Sequence, residues 1–329
     1  MANASLHAAK DAKNDEFYTR IEDINEEMNH YEDKFRDKVV FCNCDDPKWS
    51  NFWKYFHMNF EYLGLKKLIT THYESGEVQT YKIEYTGGND LDFEDGVVTT
   101  LEQNGDFRSD ECLKILDESD IVVTNPPFSL FREYIAILME HKKDFLIIGN
   151  MNALHYNEIF PLIRDNKVWL GNSSPKEFLQ PDGTIKKFGN ILWFTTLDHN
   201  KRHEWIETTY KYANKERLYP ELYPKFGNFD AINVNRITEI PMDYDGIMGV
   251  PDTFLNKFNP EQFEILGRSG DTDWVLNECG FFTPPSEERC AFYKKYNKTW
   301  RIQNVYLMDE KDLPVLVYSR IFIRRKKEK

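Results

Sequence analysis

The chain has 329 residues, 15% of them aromatic and 29% charged, with a formal net charge of −13. That length suffices for one large core or for a catalytic domain with an appended lobe. No apolar run approaches the roughly 18 residues of a membrane span, and Met1 to His7 lack the charged and apolar regions of a secretory signal, so the sequence reads as a soluble cytoplasmic protein without a membrane partner. Five cysteines, Cys42, Cys44, Cys112, Cys279 and Cys290, are scattered and contain no CxxC pair, which argues for reduced thiols and against a metal site. The acidity is uneven. Residues 1 to 124 carry 13 Lys and Arg against 27 Asp and Glu, a net of −14, whereas residues 125 to 329 carry 29 against 28, a net of +1. A surface that meets nucleic acid is therefore expected in the second part.

After a polar start over residues 1 to 13, Ile21, Ile24, Met28, Tyr31 and Phe35 recur at intervals of three and four and predict an amphipathic helix with an acidic outer face. Phe17 and Tyr18, just before it, either staple that helix or line a ligand pocket. Lys38 to Cys42 predicts a strand running into Asn43-Cys44-Asp45-Asp46-Pro47 and an aromatic helix over about 50 to 63. Strand, polar turn and helix is a cofactor-binding layout. A phosphate-binding turn needs glycines, and this one has two aspartates and a proline. It repels a pyrophosphate and suits a cofactor bearing sulfonium and ammonium charges, unless it is only a solvated acidic turn that caps the helix.

Residues 66 to 74 predict a second strand, with Glu74 the nearest acid for ribose hydroxyls. Residues 75 to 104 read as a hairpin-like insertion around Gly87-Gly88. Gly105-Asp106-Phe107-Arg108 makes another polar corner before a helix at about 110 to 116, where Asp106 and Phe107 either bond and stack an adenine or cap the helix.

Ile121-Val122-Val123-Thr124-Asn125-Pro126-Pro127-Phe128 joins a β-branched run to a corner that two prolines must end. A helix restarts with Ser129 as its expected N-cap, carrying Leu130, Phe131, Tyr134, Ile135, Leu138 and Met139 on one face. The corner sits at the carboxyl end of a strand, where open α/β sheets hold ligands. The prolines offer carbonyls and no N–H, Asn125 adds a side-chain oxygen, and Phe128 adds a flat apolar face. Converging acceptors beside an aromatic ring suit an exocyclic amine on a planar heterocycle. This is the Asn/Asp-Pro-Pro-Tyr/Phe/Trp pattern of amino-methyltransferases.

Strands at 145 to 150, 168 to 171 and 191 to 197 follow, with a polar loop over 172 to 190. Alternating β and α from 38 to 197 predicts a doubly wound, mostly parallel sheet. From about 198, Tyr210, Tyr212, Tyr219, Tyr223, Phe226 and Phe229 interleave with Lys201, Arg202, Lys211, Lys215, Arg217 and Lys225. The mixture suits stacking on an opened strand with phosphate contacts, or aromatic packing of an irregular lobe. The tail from Arg320 predicts an edge strand with a basic end.

With these stretches in view, the sequence resembles the EcoRI-type adenine-specific DNA methyltransferases. Asp15-Glu16-Phe17-Tyr18-Thr19, the 39–47 and 105–109 stretches, Asp120 to Tyr134, Tyr244 to Pro251 and Lys257 to Phe263 carry the resemblance, which weakens in the 172–190 loop and after Gly267. It implies a Rossmann-like class I methyltransferase domain over 1–197 and a C-terminal target-recognition region over 198–329. It also implies S-adenosyl-L-methionine as donor and N6 of a flipped adenine in double-stranded DNA as acceptor, as in restriction-modification systems. Phe17, Tyr18 and Thr19 are then expected at the methionine end of the donor. Asn43, Asp45, Asp46 and Pro47 are expected to form its main turn, Asp106 and Phe107 to hold its adenine, and Asn125, Pro126, Pro127 and Phe128 to form the catalytic corner. The same corner serves enzymes that methylate RNA bases or a protein amide, and a DNA-binding protein with a vestigial donor site is the non-enzyme alternative. With no long apolar seam left over, a monomer is expected.

Overall fold

The structure, a computed structural model, describes residues 17–44, 47–74, 79–180, 183–270, 280–296 and 300–327. The polar start, Asp15, Glu16, Asp45, Asp46 and Cys279 lie outside them. The chain divides into two compact units, one up to His199 and one from Asn200.

In the first unit the elements run β1 (Tyr18–Thr19), α1 (Ile21–Met28), β2 (Val39–Cys42), α2 (Asn51–Met58), α3 (Phe60–Leu63), β3 (Lys67–Thr71), β4 (Tyr81–Tyr85), β5 (Val97–Thr100), α4 (Asp110–Glu118), β6 (Ile121–Thr124), α5 (Phe131–Glu140), β7 (Asp144–Asn150), α6 (Phe160–Arg164), β8 (Trp169–Leu170), β9 (Glu177–Leu179), β10 (Ile185–Lys187) and β11 (Ile191–Thr195). Eight strands form one sheet in the order β5-β4-β3-β2-β6-β7-β11-β8. Its centre explains the continuous apolar runs: every residue of β2 and β6 is buried, as strands covered on both faces must be. Alternate residues serve opposite layers. Val40, Cys42, Ile121, Val123, Leu146 and Ile148 join one cluster with Ile24 and Met28 of α1 and Phe52, Trp53 and Phe56 of α2. Ile147 and its cross-strand partner Phe194 face the other way, where Phe131 of α5 packs 5.1 Å from Phe194.

The sheet is mixed, where the β/α alternation predicts a mostly parallel one. β3, β2, β6 and β7 pair in parallel. The β4–β5 hairpin extends the β3 side antiparallel, and β11 and β8 extend the β7 side likewise. The hairpin follows β3 without a crossover helix and so runs antiparallel to it, whereas β8, reached from β7 through α6, runs in the direction of β7, and β11 fills the place between them antiparallel to both.

Three further expectations change. The first helix stops at Met28, and Tyr31 and Phe35 stay fully buried through a 3₁₀ turn, Glu32–Lys34. Ser129 caps nothing: it lies in a 3₁₀ turn, Phe128–Leu130, and α5 begins at Phe131 without a side-chain cap. The 172–190 loop holds β9 and β10, which join β1 in a three-stranded antiparallel sheet. Its start is anchored by Glu27, a fully buried carboxylate that accepts from Tyr31 Oη (2.9 Å), Asn172 N (2.7 Å), Ser173 N (2.6 Å) and Ser173 Oγ (2.7 Å).

The second unit contains α7 (Lys215–Leu218), β12 (Ile232–Asn233), β13 (Met248–Val250), β14 (Phe263–Arg268), α8 (Glu287–Tyr296), β15 (Tyr306–Met308), β16 (Pro314–Leu316) and β17 (Ile321–Arg325). The tail is not an edge strand. β17 lies between β13 and β14, hydrogen-bonded on both sides, with Ile321, Phe322 and Ile323 buried. The aromatics of the 210–229 stretch pack against one another and into the core: Tyr212 lies 4.5 Å from Tyr244 and Tyr210 5.4 Å from Tyr219, while Tyr223, Phe226 and Phe229 are buried. Lys211, Arg217 and Lys225 stay exposed. Among the described residues no helix is long and apolar enough to cross a membrane.

Candidate active site

The connections after β2, β3 and β6 leave the carboxyl ends of parallel neighbours. β2 pairs with β3 on one side and β6 on the other, so the chain order reverses between β2 and β6. Such a switch point splays the two following loops apart and opens a crevice. Asn43 follows β2 and Asn125 follows β6, one on each side of it.

The two loops are stitched together by buried polar groups. Thr124 Oγ1 donates to the Asn43 carbonyl, and Tyr134 Oη donates to Asn43 Oδ1. Burial of the Tyr134 phenol pushes its pKa far above the usual range, so it remains a donor wherever the protein is folded. The next residue, Cys44, holds a φ of 68°, a left-handed conformation that costs energy outside glycine and persists only where its surroundings impose it. Pro47 is buried at the far side of this turn. Asn43 thus spends its side-chain oxygen inside the protein, and Asp45 and Asp46 lie outside the described residues.

Asn125 is 8% exposed. Its Nδ2 donates to the Phe17 carbonyl at 2.6 Å, and its Oδ1 is buried without a hydrogen-bond partner. An orphaned buried acceptor is expensive, so its retention points to a donor supplied from outside. Pro126 is buried; Pro127 and Phe128 are half-buried, with Phe128 against the main cluster. Phe17 packs edge-on to Phe188 at 5.0 Å and also joins the apolar cluster that holds Ile24 and Met28 of α1. Thr19 is 1% exposed, its Oγ1 also lacks a partner, and Asn51 Nδ2 holds its carbonyl at 2.7 Å.

The third corner adjoins the end of β3. Glu74 N donates to the Asn104 carbonyl at 3.1 Å, and Gly105, at φ +73°, lies so close to His72 that a Cβ there would overlap the His72 carbonyl. Asp106 does not cap α4; Ser109 does, accepting from Cys112 N at 3.2 Å. The Asp106 carboxylate is gripped by Arg108, Nε to Oδ1 at 2.8 Å and Nη2 to Oδ2 at 2.7 Å, which holds its pKa below the usual carboxylate value. Phe107 is buried, 5.0 Å edge-on from Tyr134.

The structure therefore joins Asn125 to Phe17 directly, and Asn43, Thr124, Tyr134 and Phe107 in a second chain of contacts. Glu74 stands beside Asn104, next to the Asp106 corner. Thr124, Tyr134, Asn51 and Arg108 escape sequence reasoning, because each looks like an ordinary strand, core or helix-end residue. Glu27 departs from the acidic outer face expected of α1: it is fully buried.

The arrangement offers an unpaired acceptor at a proline-locked corner, backed by aromatic surface, beside a turn bordered by buried polar groups. The family model described as adenine-specific methyltransferase EcoRI matches residues 5–326. Type II methyltransferase M.EcoRI of Escherichia coli is 47% identical over 331 residues, covering 92% of this chain and 98% of that protein. Type II methyltransferases M.MpnI of Mycoplasma pneumoniae and M.MgeORF184P of Mycoplasma genitalium are 42% and 41% identical, each over 79% of this chain. No solved structure matches the chain. A family model spanning nearly the whole sequence, together with these relatives, means that the chain belongs to the EcoRI family of adenine-specific methyltransferases.

Proposed function

We propose that this chain is a type II, site-specific DNA methyltransferase that moves a methyl group from S-adenosylmethionine to N6 of an adenine in double-stranded DNA. Its first unit is read as a Rossmann-like class I catalytic domain, its second as the target-recognition region, and the working form as a monomer. The observation that carries the reading is the Asn125 amide, tethered through nitrogen and unpaired at oxygen.

The residues fit such a donor. Thr19 Oγ1 is a buried group without a partner, and the ionised Asp106 carboxylate is an acceptor for an adenine amine. In this reading Phe17, Tyr18 and Thr19 hold the methionine end. Asn43, Pro47, Asp45 and Asp46 form the main turn, Glu74 meets the ribose, and Asp106 and Phe107 hold the adenine. When bound, the donor supplies an electrophilic methyl on a positively charged sulfur.

The protein's own part is positioning. Asn125 Oδ1 and the Pro126 carbonyl accept the two amine hydrogens, which turns the nitrogen lone pair outward and stabilises the positive charge that develops there. No strong base is required. Phe128 stacks on the target ring, worth about 1–3 kcal/mol, after the base leaves the duplex, since a base inside the stack cannot present its amine in line. Asn125→Ala should nearly abolish N6-methyladenine in nucleoside digests of treated DNA while calorimetry still detects donor binding. Undiminished methylation by that variant rejects the role.

A further inference from the structure

We propose that Lys186 is a contact for the DNA backbone at the rim of the site, an inference that rests on the reading that Asn125 receives the target base. The small sheet sets its direction. Thr19 stands opposite Phe178, and Phe178 opposite Lys186, so the three share one face; Phe17, two residues before Thr19, shares it by strand alternation. Lys187 and Glu177 take the opposite face, where Glu177 pairs with Lys187 at 2.9 Å and with Arg20.

Lys186 Nζ lies 4.6 Å from the centroid of the Phe17 ring and 5.3 Å from that of Phe188. Among the described residues no carboxylate reaches it within ion-pair distance. The ring beneath it belongs to the residue whose carbonyl tethers Asn125. Phe17 and Thr19 are buried, and Lys186 is exposed, so the anion it meets comes from the solvent side. A nucleotide whose base reaches Asn125 and Phe128 leaves its phosphates at that rim.

The test uses the full chain and a duplex chosen from positions found methylated in DNA of an expressing host. The dissociation constant is measured between about 50 and about 200 mM salt. Lys186→Met keeps the stem and removes the charge. Its log–log salt slope should be shallower by about 1, so that its affinity deficit shrinks about threefold over that range. Lys186→Arg should restore the slope, Lys187→Met should keep it, and donor binding by calorimetry should be unchanged. A wild-type slope in Lys186→Met overturns the proposal, as does an equal loss in Lys187→Met. Weakened donor binding with an unchanged slope also overturns it and assigns the ammonium to the donor's carboxylate. Failure of the functional reading looks different and shows itself before any duplex is chosen: DNA of the expressing host gains no N6-methyladenine.

Discussion

The side-chain nitrogen of Asn125 bonds to the backbone of Phe17 across 108 positions of sequence. The bond fixes which end of the amide is left without a partner, since a flipped amide would set oxygen against oxygen. The two halves of the amide then make opposite contributions to stability: one good hydrogen bond, and one buried acceptor left waiting.

From that balance, Asn125→Ala is expected to unfold within about 1 kcal/mol of the wild type, because the lost bond and the relieved orphan are of similar size. Activity should be nearly gone. Urea denaturation beside a methylation assay checks both. A loss of several kcal/mol would mean that Oδ1 is already satisfied in the protein.

Tyr134→Phe deletes the hydroxyl that serves Asn43 Oδ1 and should cost about 1–3 kcal/mol of stability, the penalty for a buried group left short of a partner. Because Asn43 opens the donor turn in the proposed reading, donor affinity should fall more than DNA affinity. Calorimetry with the donor and fluorescence anisotropy with a duplex separate the two.

Gly105→Ala places a methyl group against the His72 carbonyl at a left-handed φ, so both sterics and backbone oppose it. The expected result is a drop in donor binding with a lower unfolding midpoint. Glycine is the only residue that closes this corner without strain, so a Ser at 105 should do no better than Ala.

The pH dependence follows from Asp106. Its folded pKa is held below the unfolded value, first by its hydrogen bonds to Arg108. Its ionised form therefore contributes stability that is complete above the unfolded carboxylate pKa of about 4 and is lost as pH falls through the lower folded value. Stability and donor binding should show no Asp106-dependent change from about pH 5 to about pH 8. Asp106→Asn should flatten part of the acid limb of a thermal-unfolding series and leave the neutral region's shape unaltered.

The central strands and the Asn-Pro-Pro-Phe corner were legible because they depend on local rules: β-branched runs bury, and paired prolines stop a ladder. What escaped depends on distant partners. Nothing near Phe178 and Leu179 announces that they pair with a strand at Tyr18, since three-residue strands leave too short a period to detect. The direction of β11 was hidden because it is set by its neighbours β7 and β8 and not by its own residues. Alternating charge in the tail suggested an exposed edge, yet Arg324 answers Glu264 across the strands at 2.6 Å while Ile321 and Ile323 go inward. The aromatic stretch after residue 198 was ambiguous by composition, and only the ring-to-ring packing distinguishes its buried tyrosines from stacking surfaces.

The place of β17 has a consequence for how the protein is made. In a four-stranded ladder whose inner member comes last of the four in chain order, β14 has no strand partner, and β13 only β12, until residue 325 has emerged from the ribosome. The first unit has no such dependence on late residues. Newborn chains are therefore expected to carry a finished front half and an unfinished back half, the stage at which chaperones have most to protect.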